Sequence, residues 1–342
     1  SEEYNKLIEE AMKLPITEGY AKYAEAEKLM LEDGYLAPIY QKASAYLEKD
    51  YVSGIVNNSW GADYTYTYAD VDKDDKVLNL ATSSDIPTLD LSKATDQQSF
   101  QTANTTMEGL TRVDAEGKVQ PGVAESWETS EDGLTWTFKL RKNSTWSNGT
   151  PVTAHDFEYS WKRTLTPETA SEYSYIMADI VGSSTKEIEA NGVDGVGVKA
   201  LDDYTLEVKL NRPVAYFAEL VSFQVFFPQN QAFVESCGDA YGSAADKQLY
   251  NGPFTLTSWK MENQFTMEKN PNYWDAANVK LNKINTKVVK DTGAEVSLYE
   301  AGQIDRAGLS SDYVDKYKDS KEFHTRDVAS VFMLQVNGGN NK

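Results

Sequence analysis

Residues 121–163 constrain the fold of this chain more than any other part of the sequence. Within this stretch, residues 135–140 alternate polar and apolar side chains, which is the period of an extended strand. Trp136, Phe138 and Leu140 therefore share one face. We predict that this face is buried, and that the strand belongs to a sheet with a core side and a solvent side.

A turn and a helix are predicted after this strand. Asn148-Gly149 is a dipeptide typical of turns. Thr153 stands three residues before Asp156, a spacing typical of a capping box, in which the two side chains bond free backbone groups at the start of a helix. We therefore predict a helix that begins at this point and carries Phe157 and Trp161.

The composition is that of a globular protein and argues against several functions. Of the 342 residues, 12% are aromatic, including 21 Tyr and 7 Trp, which argues against disorder. The net charge of −20 argues against nucleic acid and anionic membranes as partners, because both attract positive patches. We interpret the acidity as a solubility feature. No run approaches the ~20 apolar residues of a membrane span.

The sequence contains no strong motif for catalysis or metal binding. The two histidines, His155 and His324, lie in separate elements, and the single cysteine, Cys237, cannot form an intrachain disulfide. Residues 70–74 alternate aspartates like the start of a calcium loop, but the later loop positions do not fit. We predict no catalytic residue, no metal and no cofactor. The 53 acidic residues leave a glycosidase-type carboxylate pair as an open alternative.

Four further motifs follow residues 121–163, at 198–208, 251–254, 269–274 and 302–305. Together the five segments resemble the family 5 solute-binding proteins, the receptors of bacterial ABC importers for peptides and some other solutes. The likeness is greatest to the oligopeptide-binding members. The resemblance implies an α/β fold (mixed α+β), with mixed β-sheets and flanking helices. This would be the large lobe of a two-lobed periplasmic-binding-protein-like fold (type II, cluster C-like).

The order of the segments differs from that of the family. Residues 1–70 resemble the C-terminal part of these receptors, whereas residues 76–337 resemble the N-terminal lobe. The acidic stretch 71–75 joins them, and residues 338–342 have the composition of a linker. We therefore expect a circular permutant whose new ends lie near the hinge of the parent protein.

The resemblance also implies that one lobe is absent. Residues 332–337 resemble the strand that crosses from the first lobe to the second, and residues 3–7 resemble the helix that follows the return crossing. The part that lies between them in the family has no counterpart in the chain. We expect a single large lobe that holds one wall of the ligand site and lacks the acidic residue that anchors a peptide's amino group.

The resemblance places three segments of this lobe at the ligand. The first follows the strand at residues 77–81, the second is a glycine-containing turn, and the third carries two tyrosines. For each, an ordinary role remains open: a strand exit, a helix stop and core packing, respectively. The expected ligand-binding residues are Ser84, Asp85, Ile86, Pro87, Thr88, Glu108, Gly109, Leu110, Tyr173 and Tyr175.

Other aromatic residues are assigned differently. Trp136, Trp146 and Trp161 fit core positions of the predicted strand and helix better than a stacking platform for ligands. Tyr64 and Tyr66 alternate with threonines on one face of a segment near the permutation joint. The sequence leaves open whether that segment is docked on the body or exposed.

The family binds extended oligopeptides through backbone hydrogen bonds, so the resemblance implies a peptide receptor and not an enzyme. Expected partners are an oligopeptide, the membrane permease subunits, and a second chain or segment that carries the missing lobe; we expect a monomer. The expected location is the periplasm or the outer face of the cytoplasmic membrane, with a lipid-anchored parent. Alternatives are a dipeptide, sugar or metal-chelate ligand, or an engineered or split scaffold without binding of its own.

Overall fold

The computed structural model describes residues 2–14, 16–34, 36–58, 61–114 and 116–335. Short 3-10 turns fill many of the connections between its helices and strands. The α-helices of this part of the chain are α1 (Glu2–Met12), α2 (Ile16–Glu32), α3 (Gln97–Thr106), α4 (Ala154–Leu165), α5 (Thr185–Asn191), α6 (Phe217–Leu220), α7 (Gln231–Cys237), α8 (Thr292–Glu300) and α9 (Ser311–Tyr317).

Among the described residues, the strands pair into three larger sheets and three two-stranded ones. Most of the pairing is antiparallel, and this mixture of sheets and helices confirms the predicted mixed α/β class. The strands are β1 (Leu36–Glu48), β2 (Val52–Ser53), β3 (Val56–Asn57), β4 (Tyr64–Thr65), β5 (Asp70–Val71), β6 (Val77–Thr82), β7 (Thr111–Val113), β8 (Val119–Pro121), β9 (Ala124–Thr129), β10 (Thr135–Leu140), β11 (Val198–Asp202), β12 (Thr205–Lys209), β13 (Phe254–Lys260), β14 (Gln264–Lys269), β15 (Lys283–Val288), β16 (Arg306–Leu309) and β17 (Phe323–Gln335).

The strand predicted at residues 135–140 lies inside the sheet β11-β12-β10-β9. Its apolar face is buried as predicted, with Trp136, Phe138 and Leu140 exposed by only 7%, 0% and 2%. The predicted helix start is also confirmed, because the Asp156 carboxylate accepts a hydrogen bond from the Thr153 backbone N–H at 2.7 Å. The three tryptophans assigned to the core, at positions 136, 146 and 161, are all buried.

A second sheet packs on the same core as the first, and we call the part of the protein around this core the body. Its order is β13-β14-β15-β6, and β6 runs parallel to β15. Leu78 of β6 and Ile284 of β15 lie side by side in this pairing and are almost wholly buried. Both belong to the large apolar core that also contains Phe138, so the two sheets share one interior.

The third sheet, β16-β1-β17, contains the two longest strands, each of 13 residues. The sequence indicated a short, buried strand at residues 35–40. The strand is confirmed over the described part of that range, whereas its short length and its burial are wrong. The strand begins at Leu36 and ends at Glu48, and Ile39 and Tyr40 are more than half exposed. They are exposed because the half of β1 that pairs with Val331–Gln335 extends beyond the body as a two-stranded ribbon.

The first two helices form an antiparallel hairpin beside α6. The prediction that Thr17 caps the second helix is wrong, because α2 already begins at Ile16; the predicted breaker Pro15 lies outside the described residues. A groove of about 420 Å³ separates the hairpin from residues 215–220 and is lined by Met12 and Tyr23, among others. No helix in the described ranges is long and apolar enough to cross a membrane.

The acidic joint at residues 71–75 is folded into a tight connection between β5 and β6. Val71 is fully buried, and β5 pairs with β2. Lys76 adopts a positive φ of 53° and donates to the Asp70 carboxylate and to the Val71 carbonyl, both at 2.9 Å. The two segments that the resemblance orders differently thus meet through a compact turn.

Candidate functional site

Strand β4 and the residues next to it have a different cavity on each side. Tyr64 and Tyr66 line a cavity of about 200 Å³, and Thr65 and Thr67 line one of about 120 Å³. This division follows from the alternation of side chains along an extended chain. We call the first the serine cavity, because Ser83 and Ser84 form part of its wall, and the second the glycine cavity, because Gly109 lies in it.

Helix α3 holds this segment in place through amide side chains. The Gln101 side chain accepts from the Tyr64 backbone N–H at 2.9 Å and donates to the Tyr64 carbonyl at 2.8 Å, so it bonds the segment as a neighbouring strand would. Gln97 donates to the Gly61 carbonyl at 2.7 Å, and Asn104 donates to the Tyr64 carbonyl at 3.1 Å. The Tyr64 and Tyr66 rings also stack, with centroids 6.1 Å apart. The segment is therefore docked on the body, a choice that the sequence left open.

Part of the loop predicted to face the ligand, residues 84–88, instead bonds to neighbouring parts of the protein. Asp85 accepts from the Trp259 indole N–H at 2.8 Å and from the Glu262 backbone N–H at 2.6 Å, so its carboxylate fixes the hairpin β13–β14. Ile86 is 3% exposed and belongs to the core. Ser84 is exposed and lies at the serine cavity.

The last two residues of this loop differ from each other. Pro87 is exposed, whereas Thr88 is half-buried. The Thr88 backbone N–H donates to the Ser99 hydroxyl of α3 at 3.3 Å, and its own hydroxyl accepts from the Asp90 N–H at 3.0 Å. The loop is therefore tied to α3, and its free surface is formed by Ser84 and Pro87.

Glu108 is the most enclosed charged group among the expected site residues. It is 5% exposed and accepts hydrogen bonds from the Tyr273 hydroxyl and, at 2.5 Å, from the Trp274 indole N–H. Arg112 lies 3.6 Å away and also pairs with Asp275 at 2.9 Å. Burial raises the pKa of the Glu108 carboxyl, and the positive charge of Arg112 opposes this rise. This carboxylate therefore bonds to side chains of the protein itself.

The two residues after Glu108 are in close contact with the core. A side chain added at Gly109 would come within 2.7 Å of the Phe227 ring, so only glycine fits between this ring and the cavity. Leu110 is fully buried, and its carbonyl accepts from the backbone N–H groups of Gly122 and Ala124. A ligand could therefore reach the Gly109 backbone but not the Leu110 side chain.

The two expected tyrosines lie in different environments. Tyr173 packs edge-on against Phe100 of α3, with ring centroids 5.2 Å apart, and stacks on Phe223 at 5.9 Å. Phe223 in turn lines the glycine cavity. Tyr175 is 68% exposed and touches Tyr173 with ring centroids 5.7 Å apart. Core packing thus accounts for Tyr173, while the Tyr175 ring is free to meet a ligand.

The ten expected residues do not gather around one cavity. Ser84 lies at the serine cavity, Glu108 and Gly109 lie at the glycine cavity, and Tyr173 reaches the latter only through Phe223. Their assignment to a ligand therefore stays a prediction.

Sequence reasoning missed a cluster of arginines and tyrosines beside the serine cavity. The Arg306 guanidinium lies 3.9 Å from the Tyr46 ring centroid and 4.5 Å from that of Tyr64. Arg326 of β17 lies 4.7 Å from the Tyr64 ring and forms an ion pair with Asp63 at 3.3 Å. The cluster joins the base of the ribbon to the cavity wall. Only the tyrosine alternation signalled it, because its members are far apart in the sequence.

Metal-binding groups do not cluster in the part of the chain that the structure describes: no set of three His, Cys, Asp or Glu side chains is arranged to hold an ion there. His155 lies 3.4 Å from Asp203 at an exposed position. Cys237 is a free thiol.

Comparison with known proteins decides the family. The family described as "Bacterial extracellular solute-binding proteins, family 5 Middle" matches residues 118–342, about two thirds of the sequence. The chain belongs to this family. The recognition made from the motifs at residues 121–163 and beyond is therefore confirmed.

Individual relatives show a likeness of the same kind. The oligopeptide-binding protein OppA of Bacillus subtilis is 39% identical over 249 residues, which cover 71% of this chain and 46% of that protein. A dipeptide-binding protein of Lactococcus lactis is 37% identical over 267 residues, covering 77% and 48%. The structure of Listeria monocytogenes OppA bound to peptide superposes with a TM-score of 0.71 at 41% identity, covering 73% and 49%. The chain thus spans about half the length of the relatives that it matches.

Proposed function

We propose that this chain is the large lobe of a solute receptor for a bacterial ABC importer, and that it forms one wall of a cleft for extended peptides. Family 5 membership supports the class of receptor, and the names of its relatives support peptides as the ligand. The proposal excludes an enzymatic role. It places the protein outside the cytoplasmic membrane, as the names of periplasmic relatives suggest.

One observation carries the proposal: β1 and β17 leave the body side by side, next to the serine cavity. They pair in antiparallel register from Leu47–Phe323 to Leu36–Gln335, so the chain leaves the lobe along β17 and could return along β1. The helix at residues 3–7 would then precede the return strand, and would not follow it as the resemblance implied. Arg326 joins the base of this pair to Asp63, which lines the serine cavity. A second lobe attached to the ribbon would therefore face this cavity across a hinge.

The serine cavity suits a peptide backbone better than a charged or metal ligand. Ser83, Ser84, Gln98 and Thr286 line it with neutral donors and acceptors, and Tyr64 and Tyr66 add aromatic surface. Neutral groups of this kind can bond main-chain amides without reading side chains. We place the wall of the peptide site here, and Glu108 and Leu110 behind it as supporting residues.

The proposal includes the permuted order of the segments and a partner for the lobe. Residues 1–70 would correspond to the C-terminal part of the parent receptor, and the turn at 71–75 would be the new joint. The missing lobe would come from a second chain or segment, and the assembled receptor would deliver its ligand to permease subunits in the membrane. A lipid anchor would belong to the parent protein.

Ligand length is the main alternative within the same family. A dipeptide would fill less of the cavity wall than an oligopeptide, and one relative is named for dipeptide binding. A sugar is a less favoured ligand, and a metal chelate is disfavoured by the scarcity of histidines. A split or engineered scaffold without binding of its own remains the alternative of a different class.

Calorimetry on two proteins tests the proposal. The first is the chain alone, and the second is the chain with the second lobe of Bacillus subtilis OppA fused after its last residue. We expect dipeptides or tri- to hexapeptides to bind the fusion at least about tenfold more tightly than the chain alone, because the second lobe closes over the ligand. Ser84→Trp, which obstructs the serine cavity, should weaken binding to the fusion, whereas Ser236→Trp, at an exposed position outside the cavity lining, should not. A well-folded fusion that binds no peptide would contradict the proposal.

A further inference from the structure

The serine cavity has an apolar floor, which binding of a peptide main chain does not require. Phe265 of β14, Thr286 of β15 and Leu80 of β6 lie in one row across the sheet, because Phe265 pairs with Thr286 and Thr286 with Leu80. Met267 and Ile284 pair in the next row. All five residues line the cavity and are more than nine-tenths buried. The floor therefore offers mostly hydrocarbon surface to a group that enters the cavity.

Helix α3 covers this floor and presents a polar face to it. Gln98, Gln101 and Thr105 are three and four residues apart, so they share one side of the helix, and all three line the cavity. A helix that only closes a core would place apolar residues on that side. The space of about 200 Å³ is also large for a packing defect, because a cavity of about 150 Å³ already holds benzene. The cavity can therefore accept one side chain of a ligand.

Thr286 places a hydroxyl in the middle of the apolar row. The residue is 7% exposed, and its hydroxyl makes no hydrogen bond to any residue that the structure describes. Thr266, whose side chain lies on the opposite face of the sheet, instead donates to the Asn285 side chain at 3.1 Å. A buried hydroxyl without a partner costs free energy. The Thr286 position therefore favours a ligand that brings a hydrogen-bonding group to the floor.

The walls of the cavity favour an uncharged aromatic group. The Tyr64 and Tyr66 rings stack with centroids 6.1 Å apart, and Phe265 adds a third ring from the floor. Aromatic rings pack well against one another in offset or edge-on arrangements. Among the described residues that line the cavity, only Asp63 is charged, and Arg326 pairs with it at 3.3 Å. A charged side chain would therefore lose its water here without meeting a free opposite charge.

We propose that the serine cavity is a subsite for one side chain of the peptide, and that it selects tyrosine. The tyrosine ring would pack against Phe265 and the two tyrosines of the wall, and its hydroxyl would share a hydrogen bond with that of Thr286. The main chain of the same residue would stay at the mouth, where Ser83 and Ser84 are exposed. The inference rests on the proposed function, because it adds a side-chain preference to the peptide wall placed at this cavity.

Binding of capped amino acids to the 342-residue chain tests the subsite without a second lobe. N-acetyl-tyrosinamide carries the side chain and two amides, and a ligand of its size should bind with a dissociation constant on the order of 1 mM, measured by NMR titration. N-acetyl-phenylalaninamide should bind about three- to tenfold more weakly, because it cannot bond the Thr286 hydroxyl. The capped glutamate should bind at least about tenfold more weakly than the tyrosine compound. No binding of the tyrosine compound, or equal binding of either comparison compound, would overturn the proposal.

A matched pair of variants assigns the preference to one hydroxyl. Thr286→Val keeps the shape of the side chain without the hydroxyl, so the tyrosine and phenylalanine compounds should bind it equally well. Thr266→Val removes a hydroxyl from the opposite face of the neighbouring strand and should retain the preference. A preference that survives Thr286→Val would refute the role of Thr286. Ser84→Trp should abolish binding of both compounds, and binding that persists would place them outside the cavity and contradict the proposal.

The fusion with the second lobe of Bacillus subtilis OppA separates this inference from the proposed function. If the fusion binds peptides but shows no preference for tyrosine, and the capped compounds do not bind the chain, the subsite is refuted and the receptor function stands. A fusion that binds no peptide would instead refute the receptor, and with it the assignment of the cavity to a peptide side chain.

Discussion

Strands β10 and β17 have similar local sequences but very different surroundings. Both are rich in residues that favour extended structure, with Trp136 and Phe138 in one and Val331 and Phe332 in the other. Strand β10 lies between β9 and β12 and is covered by aromatic side chains such as Phe217. Strand β17 lies at an edge and its outer half is exposed. The contrast shows that a strand pattern predicts pairing but not burial, which depends on what packs against the faces.

Truncation of one phenylalanine in each of these two strands should show the difference between their surroundings most clearly. Phe138→Ala should lower the free energy of unfolding by about 3–5 kcal/mol, because the ring is fully buried and its removal leaves a cavity. Phe332→Ala should cost less than about 1.5 kcal/mol, because the residue is 47% exposed and loses mainly its stack on the Tyr40 ring, with centroids 4.8 Å apart. Urea denaturation of dilute protein measures both. Similar losses in the two variants would mean that the ribbon is packed in solution.

Substitution of the buried Glu108 carboxylate should give the next largest loss of stability. Glu108→Gln should lower the free energy of unfolding by about 2–4 kcal/mol, because an amide donor would face a hydroxyl or indole donor and Arg112 would lose a partner. Glu300→Gln is the matched control, since Glu300 also accepts from a tyrosine and a lysine but at an exposed position. The control should cost less than about 0.5 kcal/mol. Thermal or urea unfolding in which the two variants are equally stable would remove Glu108 from its proposed supporting role.

The base of the ribbon should give a smaller effect than the body. Arg326→Gln removes the ion pair with Asp63 and the contact with the Tyr64 ring, and we expect a loss of about 1 kcal/mol. Amides near the base of β17 should then exchange faster, because the strand is less firmly held. Lys318→Gln, which breaks only an exposed ion pair with Asp315, serves as the control. Unchanged exchange in Arg326→Gln would show that strand pairing alone holds the ribbon.

The smallest predicted effect is a pH-dependent change in stability at Glu295 of α8, the helix that packs against β16. Burial raises the pKa of the Glu295 carboxyl, although the carboxylate accepts a hydrogen bond from the Gly308 N–H at 2.8 Å. The folded state therefore keeps a proton that the unfolded chain has released, and stability falls as the pH rises through the raised pKa. We expect Glu295→Gln to equal or exceed the parent by up to about 1 kcal/mol at neutral pH, with the advantage lost in acid below the ordinary glutamate pKa of about 4.3. Glu9→Gln, at an exposed position, is the control for the change in net charge. A stability advantage of Glu295→Gln that grows in acid would contradict this account.

The sequence was sufficient for the central part of the fold. The alternation at residues 135–140 and the spacing of Thr153 and Asp156 predicted a strand and a helix start correctly, because both depend on neighbours in the chain. The motifs also identified the family. Local patterns could not show that β1 projects into solvent, since Ile39 and Tyr40 are as apolar as core residues and only the absence of packing partners exposes them.

The candidate site was less predictable for a related physical reason. Nothing near Asp85 in the sequence indicates that its carboxylate would bond Trp259, which is far along the chain. Arg306 and Arg326 likewise meet Tyr64 only after three distant segments fold together. Short motifs therefore located the loops around the cavities, whereas the roles of individual side chains depended on long-range contacts.

Peptide binding by the isolated 342-residue chain tests the central claim most directly, because the claim is that this lobe holds only one wall of the site. Intact mass spectrometry should first confirm the 38.2 kDa chain, followed by calorimetry with a pool of tri- to hexapeptides. The account predicts no binding, or a dissociation constant weaker than about 100 µM, because no second lobe closes over the ligand. A sub-micromolar dissociation constant for the chain alone would contradict it and would mean that the described lobe contains a complete peptide site.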